Sequence, residues 1–329
     1  MTKAERTGTE SPASPKIAGQ DKRRPVIVTA ALTGAIHTPS MSPYLPVTPE
    51  EVVAEGIRAA QAGAAVLHVH ARDPKTGKPD QSVAAFADIL PKLKAQTDCV
   101  INVTTGGSPF MPVEERVQPV AHYGPELASL NMGSMNFGLF GMLDRYDTFE
   151  HAWEREHLEN SRDLAFRNTF KEIEYILTTC GARGTRFEFE CYDISHLYTL
   201  KHFLDRGLVT GPLFVQSVFG LLGGIGNHAE DVMMMRRTAD RLFGDQYVWS
   251  VLGAGAAQQR IAASSVAMGG NLRVGLEDSL WKAPGKLATT SAEQIELAKG
   301  TLAAQGCRVA TPAEAREMLA LKGKDQVNF

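Results

Sequence analysis

Cysteine is scarce in this sequence, and its positions are far apart. The chain of 329 residues has 4 cysteines, at Cys99, Cys180, Cys191 and Cys307, and none belongs to a C-x-x-C pair. Disulfide scaffolds and thiolate zinc clusters both need cysteines at short, recurring spacings. We therefore expect neither feature, and we expect a protein that functions in a reducing compartment.

Long apolar runs and an excess of one charge are also missing. No stretch approaches the roughly 18 apolar residues of a membrane span, and residues 1–24 lack the apolar segment of a secretory signal. The formal net charge of −3 gives no attraction to nucleic acid. These absences predict no membrane or nucleic-acid partner, a cytoplasmic location, a flexible tail over residues 1–24 and a single domain over residues 25–329.

What the sequence does contain is a regular alternation of short β-branched runs with longer amphipathic stretches. This pattern predicts parallel strands joined by helices, and the 8 pairs counted here predict an α/β fold, the closed (β/α)₈ TIM barrel. The predicted strands are 25–32, 65–70, 99–103, 127–131, 185–190, 212–217, 247–252 and 271–276. The charged and aromatic segment 139–167 does not fit the repeat, and we expect it to be an insertion after the fourth strand.

Two histidines end the second predicted strand, in the run Leu67-His68-Val69-His70. Side chains alternate along a strand, so His68 and His70 share one face. If Leu67 and Val69 pack against helices, both imidazoles point into the barrel at the strand end where barrels place their active sites. Such a pair predicts a metal site, whereas the alternative is a pair of hydrogen-bonded core histidines.

A third metal ligand is expected from another strand end. Arg273 and Glu277 have the same parity on the eighth predicted strand, so both face inward if either one does. Two histidines and one carboxylate leave a coordination position open for substrate, and the adjacent Asp278 could act as a base. The alternative is that Glu277 and Asp278 cap the next helix or pair with Arg273.

Glycine-rich turns follow several of the predicted strands, and their backbone amides could approach an anion. We expect a roomy mouth for a phosphorylated ligand, although such turns also occur for steric reasons. The turns are 104–107, 131–134, 222–226 and 253–255. Glu188 and Glu190 share a face of the fifth strand and, once buried, need a partner such as Arg186 or Arg273, in a site or in a structural ion-pair network.

Seven segments, spread over residues 25 to 322, resemble the β-keto acid cleavage enzymes. They are TAALTGA (29–35), LHVHAR (67–72), NVTTGG (102–107), SLNMGSMNFG (129–138), FEFECYD (187–193), FGLLGG (219–224) and NLRVGLEDSLW (271–281). The resemblance implies a zinc-dependent TIM barrel, with other divalent metals possible. It also implies a homotetramer that combines a small β-keto acid with acetyl-CoA to give acetoacetate and a new acyl-CoA.

The resemblance also implies roles for individual residues. His68, His70 and Glu277 would bind the metal, which stabilises the enolate formed when Asp278 removes the C2 proton. Arg273 would offset the anionic charge that builds up. Hydroxyl positions in the catalytic site match Thr104 and Ser129. The remaining substrate-site positions are Gly106, Gly107, Asn131, Glu190, His37, Gly223 and Gly224.

One departure from the family pattern concerns the substrate. The family's 3-keto-5-aminohexanoate enzymes place an acidic residue after the T-G-A turn of strand one, whereas this chain continues with Ile36 and His37. We therefore expect no preference for an amino-bearing keto acid, with His37 facing a neutral or anionic tail. The competing interpretations are a lyase of the hydroxymethylglutaryl-CoA type and a barrel that only binds metal or acyl-CoA. Amidohydrolases need further histidines on strands five and six, which this chain lacks at those strand ends.

Overall fold

Eight parallel strands close into a barrel in this computed structural model, which describes residues 21–329. The barrel order is β10-β11-β2-β3-β4-β5-β8-β9. Helices pack against its outer face, where one large apolar cluster fills the space between strands and helices. The predicted TIM barrel is therefore confirmed. In the described range, every helix is too short or too polar to cross a membrane.

The strands and helices have the following bounds. The strands are β1 (Arg24–Val26), β2 (Val28–Ala31), β3 (Val66–Val69), β4 (Val100–Thr104), β5 (Leu127–Asn131), β6 (Met135–Asn136), β7 (Ala165–Phe166), β8 (Arg186–Cys191), β9 (Leu213–Phe219), β10 (Tyr247–Gly253), β11 (Asn271–Val274), β12 (Trp281–Ala283), β13 (Lys286–Leu287) and β14 (Cys307–Val309). The helices are α1 (Pro49–Ala62), α2 (Val83–Ala87), α3 (Leu90–Gln96), α4 (Val113–Arg116), α5 (Gln118–Tyr123), α6 (Ala152–Asn160), α7 (Phe170–Gly181), α8 (Ile194–Asp205), α9 (Ala229–Phe243), α10 (Gln258–Ala267), α11 (Ser291–Ala304) and α12 (Pro312–Leu319).

The first predicted strand, 25–32, is divided in the structure. β1 lies outside the barrel and pairs with β14, whereas β2 is the barrel strand. The break falls at Ile27, whose backbone amide donates to the side-chain oxygen of Asn271 in the neighbouring strand β11 and not to a backbone carbonyl. The expected tail over 1–24 lies outside the described residues up to residue 20, and Arg24 already belongs to β1.

The strand register sorts the inward-facing side chains into stacked layers, each drawn from alternate strands. An apolar layer near the closed end contains Val66, Leu127 and Phe214, and α12 covers that end with Leu319. Two polar layers follow towards the mouth. The polar layer is Thr29, Asn102, Glu188 and Ser250, and the arginine layer above it is His68, Ser129, Gln216 and Arg273.

The segment 139–167 lies in the long connection between β5 and α7. β6 and β7 pair there as an antiparallel ribbon, and α6 lies between them in the chain. Phe137, Leu139 and Phe166 from this connection join a second apolar cluster with Tyr192 and Leu252 from the barrel mouth. The connection therefore forms part of the wall around the mouth.

A buried ion pair holds α12 to the closed end of the barrel. Glu126 is 2% exposed and accepts hydrogen bonds from Nε and Nη2 of Arg316, both at 2.8 Å. We expect Glu126→Gln to lower the free energy of unfolding by about 1.5–3 kcal/mol, because a hydrogen-bonded charge pair is lost in a buried place. Urea titration followed by circular dichroism measures this change.

The control for that titration is Glu159→Gln in α6. Glu159 pairs with Arg155 on the surface, where both side chains are about half exposed. Exposed pairs contribute little, so this variant should unfold like the parent protein. Equal effects of the two substitutions would contradict the importance of the Glu126–Arg316 pair.

Candidate active site at the barrel mouth

His68, His70 and Glu277 come together at the mouth, as the sequence predicts. Nε2 of His68 lies 3.4 Å from Oε1 of Glu277, and Nε2 of His70 lies 3.6 Å from the same oxygen. Their possible ligand atoms all lie within 4.8 Å of one another, and all three residues are buried. The geometry suits three ligands converging on one cation, with further positions left for substrate.

The reason that Glu277 faces the histidines differs from the strand parity argued above. β11 ends at Val274, and the chain then turns at Gly275 (φ +150°), whose carbonyl accepts from the amide of Asp278. Gly34 (φ +63°) also makes the approach possible, because a Cβ there would lie 2.2 Å from Cγ of Glu277. The predicted ligand is right, but a turn rather than a strand directs it.

The electrostatics of the three residues favour a cation. Burial lowers the pKa of His70 to about 3, so its imidazole is neutral and has a free lone pair. Burial acts the same way on His68, but the attraction of Glu277 and Glu188 and a hydrogen bond to Glu277 together outweigh it and raise the pKa of His68. Although burial opposes ionisation, Arg273 and both histidines hold the pKa of Glu277 well below its ordinary value. Oε2 of Glu277 is buried without a hydrogen-bond partner within residues 21–329, so one oxygen of this carboxylate is unused.

Arg273 is the centre of the charge network beneath these ligands. It is 2% exposed and donates to both oxygens of Asp278, at 2.9 and 2.8 Å, and to Oε1 of Glu277 at 2.6 Å. It also donates to Oε1 of Glu190 at 3.2 Å, and Glu188 lies 3.7 Å away. The alternative interpretation, pairing of Glu277 and Asp278 with Arg273, therefore coexists with the metal cluster.

The remaining carboxylates of the network differ in their surroundings. Burial raises the pKa of Asp278 in spite of the attraction of Arg273, which makes it a stronger base than an exposed aspartate. Oε2 of Glu190 accepts from Asn131 at 3.1 Å and from the Tyr192 hydroxyl at 3.4 Å. Burial raises the pKa of Glu188 to about 7. Arg186, the other expected partner, instead donates to the carbonyls of Thr210 and Pro212.

A cavity of about 780 Å³ opens above this network. Its size agrees with the expected roomy mouth, whereas the expected phosphorylated ligand stays a prediction. Its walls contain most of the residues predicted for the site: His37, Thr104, Gly106, Gly107, Ser129, Asn131, Glu190, Arg273 and Asp278, together with the three candidate metal ligands. The Thr104 hydroxyl accepts from the amides of Gly106 and Gly107, so it also shapes the turn.

Gly223 and Gly224 are not among the residues that line the cavity. A Cβ at Gly223 would lie 1.9 Å from the carbonyl oxygen of Asn136, and one at Gly224 would lie 2.8 Å from that of Tyr192. These glycines let the β9 loop pack onto neighbouring backbone. The neighbouring Gly220, with Leu221 and Leu222, lines the cavity instead.

The loop after β2 presents the neutral side chain of His37 to the cavity. Burial lowers the pKa of His37 to about 4, and its Nδ1 lies 3.1 Å from the carbonyl oxygen of Leu276. Arg72 fixes the loop after β2, because its guanidinium donates to the carbonyls of Thr33 and His37. Sequence reasoning gave Arg72 no role, although it lies only two residues after His70.

A closed parallel barrel with a buried arginine, a buried aspartate bound to it and three converging metal-type ligands at its mouth is the arrangement of an enzyme of the TIM-barrel class. The sequence profile of one family, described as beta-keto acid cleavage enzyme, matches residues 25–321. The chain belongs to this family.

Two curated relatives cover nearly all of the chain. A protein of Paraburkholderia graminis named 3,5-dioxohexanoate:acetyl-CoA acetone transferase is 63% identical over 307 residues, which are 93% of this chain and 99% of the relative. A 3-keto-5-aminohexanoate cleavage enzyme of Fusobacterium nucleatum is 30% identical over 298 residues, which are 90% of this chain and 98% of the relative. Both names describe chemistry on β-keto acids, as the sequence resemblance implies.

Solved structures support the fold. The apo structure of ObcA superposes with a TM-score of 0.63 at 22% identity, covering 85% of this chain and 66% of that one. At this identity the likeness concerns the architecture alone. The activity therefore has to be argued from the family and from the site.

Substitution of Gly34 tests whether its missing Cβ places Glu277. We expect Gly34→Ala to weaken metal binding by roughly tenfold or more, because the added methyl group displaces the Glu277 side chain. The metal content after dialysis, measured by mass spectrometry, and the metal dissociation constant give the answer.

Gly207→Ala is the matched control for that measurement. Gly207 has a similar backbone angle (φ +72°), but nothing lies within 4 Å of an added Cβ. Both variants therefore carry the strain of an alanine at positive φ, and only Gly34→Ala should lose metal. Retention of metal by Gly34→Ala would show that Glu277 is placed by other contacts.

Proposed function

We propose that this chain cleaves a β-keto acid with acetyl-CoA as the co-substrate, giving acetoacetate and a new acyl-CoA. The observation that carries the proposal is the contact of Asp278 with Arg273 beside the histidine–glutamate cluster, on the floor of a cavity large enough for two substrates. Membership of the family and the acetyl-CoA-dependent relative at 63% identity support it.

His68, His70 and Glu277 would hold a divalent metal, and we assign Zn²⁺ because two imidazoles and a carboxylate are a common ligand set for catalytic zinc. When bound, the metal supplies Lewis acidity to the oxygens of the keto acid. The cluster fits this role because the imidazole of His70 is neutral and one oxygen of Glu277 has no hydrogen-bond partner in the described chain.

Asp278 would remove a proton from C2 of the keto acid. The resulting carbanion attacks the thioester carbonyl of acetyl-CoA, so that a carbon–carbon bond forms and the carbon–sulfur bond breaks. The released CoA thiolate then attacks the original C3 ketone, the C2–C3 bond breaks, and C2 takes back the proton as acetoacetate leaves. Arg273 stabilises the negative charge of each step from a dry, fixed position.

The substrate tail is proposed to be uncharged. Ile36 and the neutral His37 follow the strand-one turn, and the second apolar cluster supplies Phe137, Tyr192 and Leu252 to the cavity wall. The relative at 63% identity is named for 3,5-dioxohexanoate, which has a neutral keto group at that end. With that substrate the scheme would yield acetoacetate and acetoacetyl-CoA.

A homotetramer and a cytoplasmic location complete the proposal. The tetramer depends on the family resemblance alone, and light scattering coupled to size exclusion tests it. The cytoplasmic location agrees with 4 free, buried thiols at Cys99, Cys180, Cys191 and Cys307.

Replacement of the proposed base tests the activity. The parent protein with Zn²⁺, acetyl-CoA and 3,5-dioxohexanoate should form acetoacetate, read by mass spectrometry. We expect Asp278→Asn to lower kcat by roughly 10²–10⁴-fold, because the general base is removed while the shape is kept. Asp88→Asn, an exposed aspartate after α2, is the control and should retain full activity. Failure of the parent protein to release acetoacetate from any β-keto acid would overturn the proposal.

Ile36 is the position at which the tail preference can be changed. It is half buried and lines the cavity. We expect Ile36→Glu to shift the ratio of kcat/KM values by roughly tenfold or more from 3,5-dioxohexanoate towards 3-keto-5-aminohexanoate, because the new carboxylate pairs with the ammonium group.

Ile36→Gln is the matched control, since it changes size and polarity in the same way without the charge. It should lower turnover of both substrates without favouring the amine. Comparable turnover of the two substrates by the parent protein would contradict the proposed preference for an uncharged tail.

A further inference from the structure

The polar layer inside the barrel contains hydrogen-bonding groups that no protein atom satisfies. Thr29, Asn102, Glu188 and Ser250 are each 0% exposed, and their side-chain polar atoms have no hydrogen-bond partner in the described structure. These four are the complete inward-facing set at their level, one from every second strand. Leaving a whole layer of buried polar groups unsatisfied is strongly unfavourable, so a small polar ligand has to satisfy them.

Two side chains of the arginine layer, directly above, also have buried polar atoms without a hydrogen-bond partner in the described residues. Nδ1 of His68 and both polar atoms of the Gln216 side chain are buried without a partner in residues 21–329. His68 is the register neighbour of Asn102, and Gln216 is that of Ser250. The unsatisfied groups of the two layers therefore face one another inside the barrel.

These groups are enclosed both towards the closed end of the barrel and towards its mouth. Below it lie the apolar side chains Val66, Leu127 and Phe214, which α12 covers. Above it lie Arg273 and the candidate metal ligands. Several unpartnered polar groups that converge in a closed interior are the setting in which buried water is held, since each water needs two to four such partners.

One of these unpartnered atoms, Nδ1 of His68, belongs to a candidate metal ligand. When Nε2 of a histidine binds a metal, its Nδ1 carries the proton and needs an acceptor, which fixes the ring orientation and the tautomer. Nδ1 of His68 has no acceptor among the described residues, whereas Asn102 and Glu188 have unused oxygens in the layer beneath it. Glu188 also lies 3.7 Å from Nη1 of Arg273, so the same layer contacts the charge network.

We propose that ordered water fills the polar layer and links Nδ1 of His68 to Asn102 and Glu188, which act as positioning residues for the metal ligand. The proposal rests on the metal centre of the proposed function, but not on its substrate. The layer thus orients His68 from below, while Gly34 and the turn at Gly275 orient Glu277 from the side.

Asn102→Leu is the principal variant that tests this linkage. It removes the amide and displaces water without a change of charge, so a weaker metal affinity cannot come from altered long-range electrostatics. Glu188→Gln removes the carboxylate with little change of shape. We expect each variant to raise the metal dissociation constant roughly 10–100-fold in competition with a chromogenic chelator. The urea midpoint of Asn102→Leu should fall, because displacing the water leaves Glu188 and Nδ1 of His68 buried without a hydrogen-bond partner.

Glu126→Gln is the control. Like Glu188→Gln, it removes a buried carboxylate, but at the closed end of the barrel, away from the metal site. It should unfold at lower urea concentration and bind metal as the parent protein does. A crystal structure of the zinc-loaded parent protein at about 1.5 Å resolution shows the layer directly. We expect water density within hydrogen-bonding distance of Nδ1 of His68 and of the Asn102 or Glu188 oxygens.

Three results would overturn the proposal: a direct hydrogen bond from Nδ1 of His68 to a side chain, a metal cation in the layer, or parent-like metal affinity in both variants. These outcomes are separate from failure of the proposed function. A protein that binds zinc but cleaves no β-keto acid would refute that function and leave the layer test intact, because its readouts are affinity and density.

Discussion

The structure depends on one buried guanidinium that contacts a surplus of carboxylates. Arg273 faces Glu188, Glu190, Glu277 and Asp278, and all of them are nearly excluded from solvent. A single positive charge cannot balance four buried negative ones, so part of the balance has to come from elsewhere. A divalent cation held by His68, His70 and Glu277, as we propose, would supply most of it, and the raised pKa of Glu188, about 7, lets that carboxyl carry a proton near neutral pH. Binding of a metal and the stability of the buried charges around Arg273 therefore depend on each other.

The barrel tolerates this charge because its apolar contacts lie elsewhere. The large cluster between strands and helices and the smaller one at the closed end supply the hydrophobic stabilisation of the fold. The interior layers above Phe214 are then free to be polar. Replacing a buried ionic network with apolar residues of similar volume often does not destabilise a protein, so its presence here is better explained by function than by stability.

Much of this was predictable from the sequence, because period-two alternation decides which side chains face inward. It gave seven of the eight barrel strands to within two residues at either end and placed His68 beside His70 on one face. It could not give the geometry after a strand ends: Glu277 was assigned by parity, but the turn at Gly275 directs it, and Gly223 packs on backbone instead of lining the cavity. Alternation also cannot show which inward groups lack partners, since that depends on the register of all eight strands.

The charge network also restricts the substrate tail. Three carboxylates line the cavity, those of Glu190, Glu277 and Asp278, and each already accepts a hydrogen bond from Arg273. The other oxygen of Glu190 is taken by Asn131 and Tyr192. The other oxygen of Glu277 belongs to the candidate metal site. An ammonium group on the substrate would therefore lose its hydration without gaining an uncommitted carboxylate, and burying an unpaired charge is far more unfavourable than burying a ketone. The hydrogen bonds of Arg273 thus support the uncharged substrate tail that we propose.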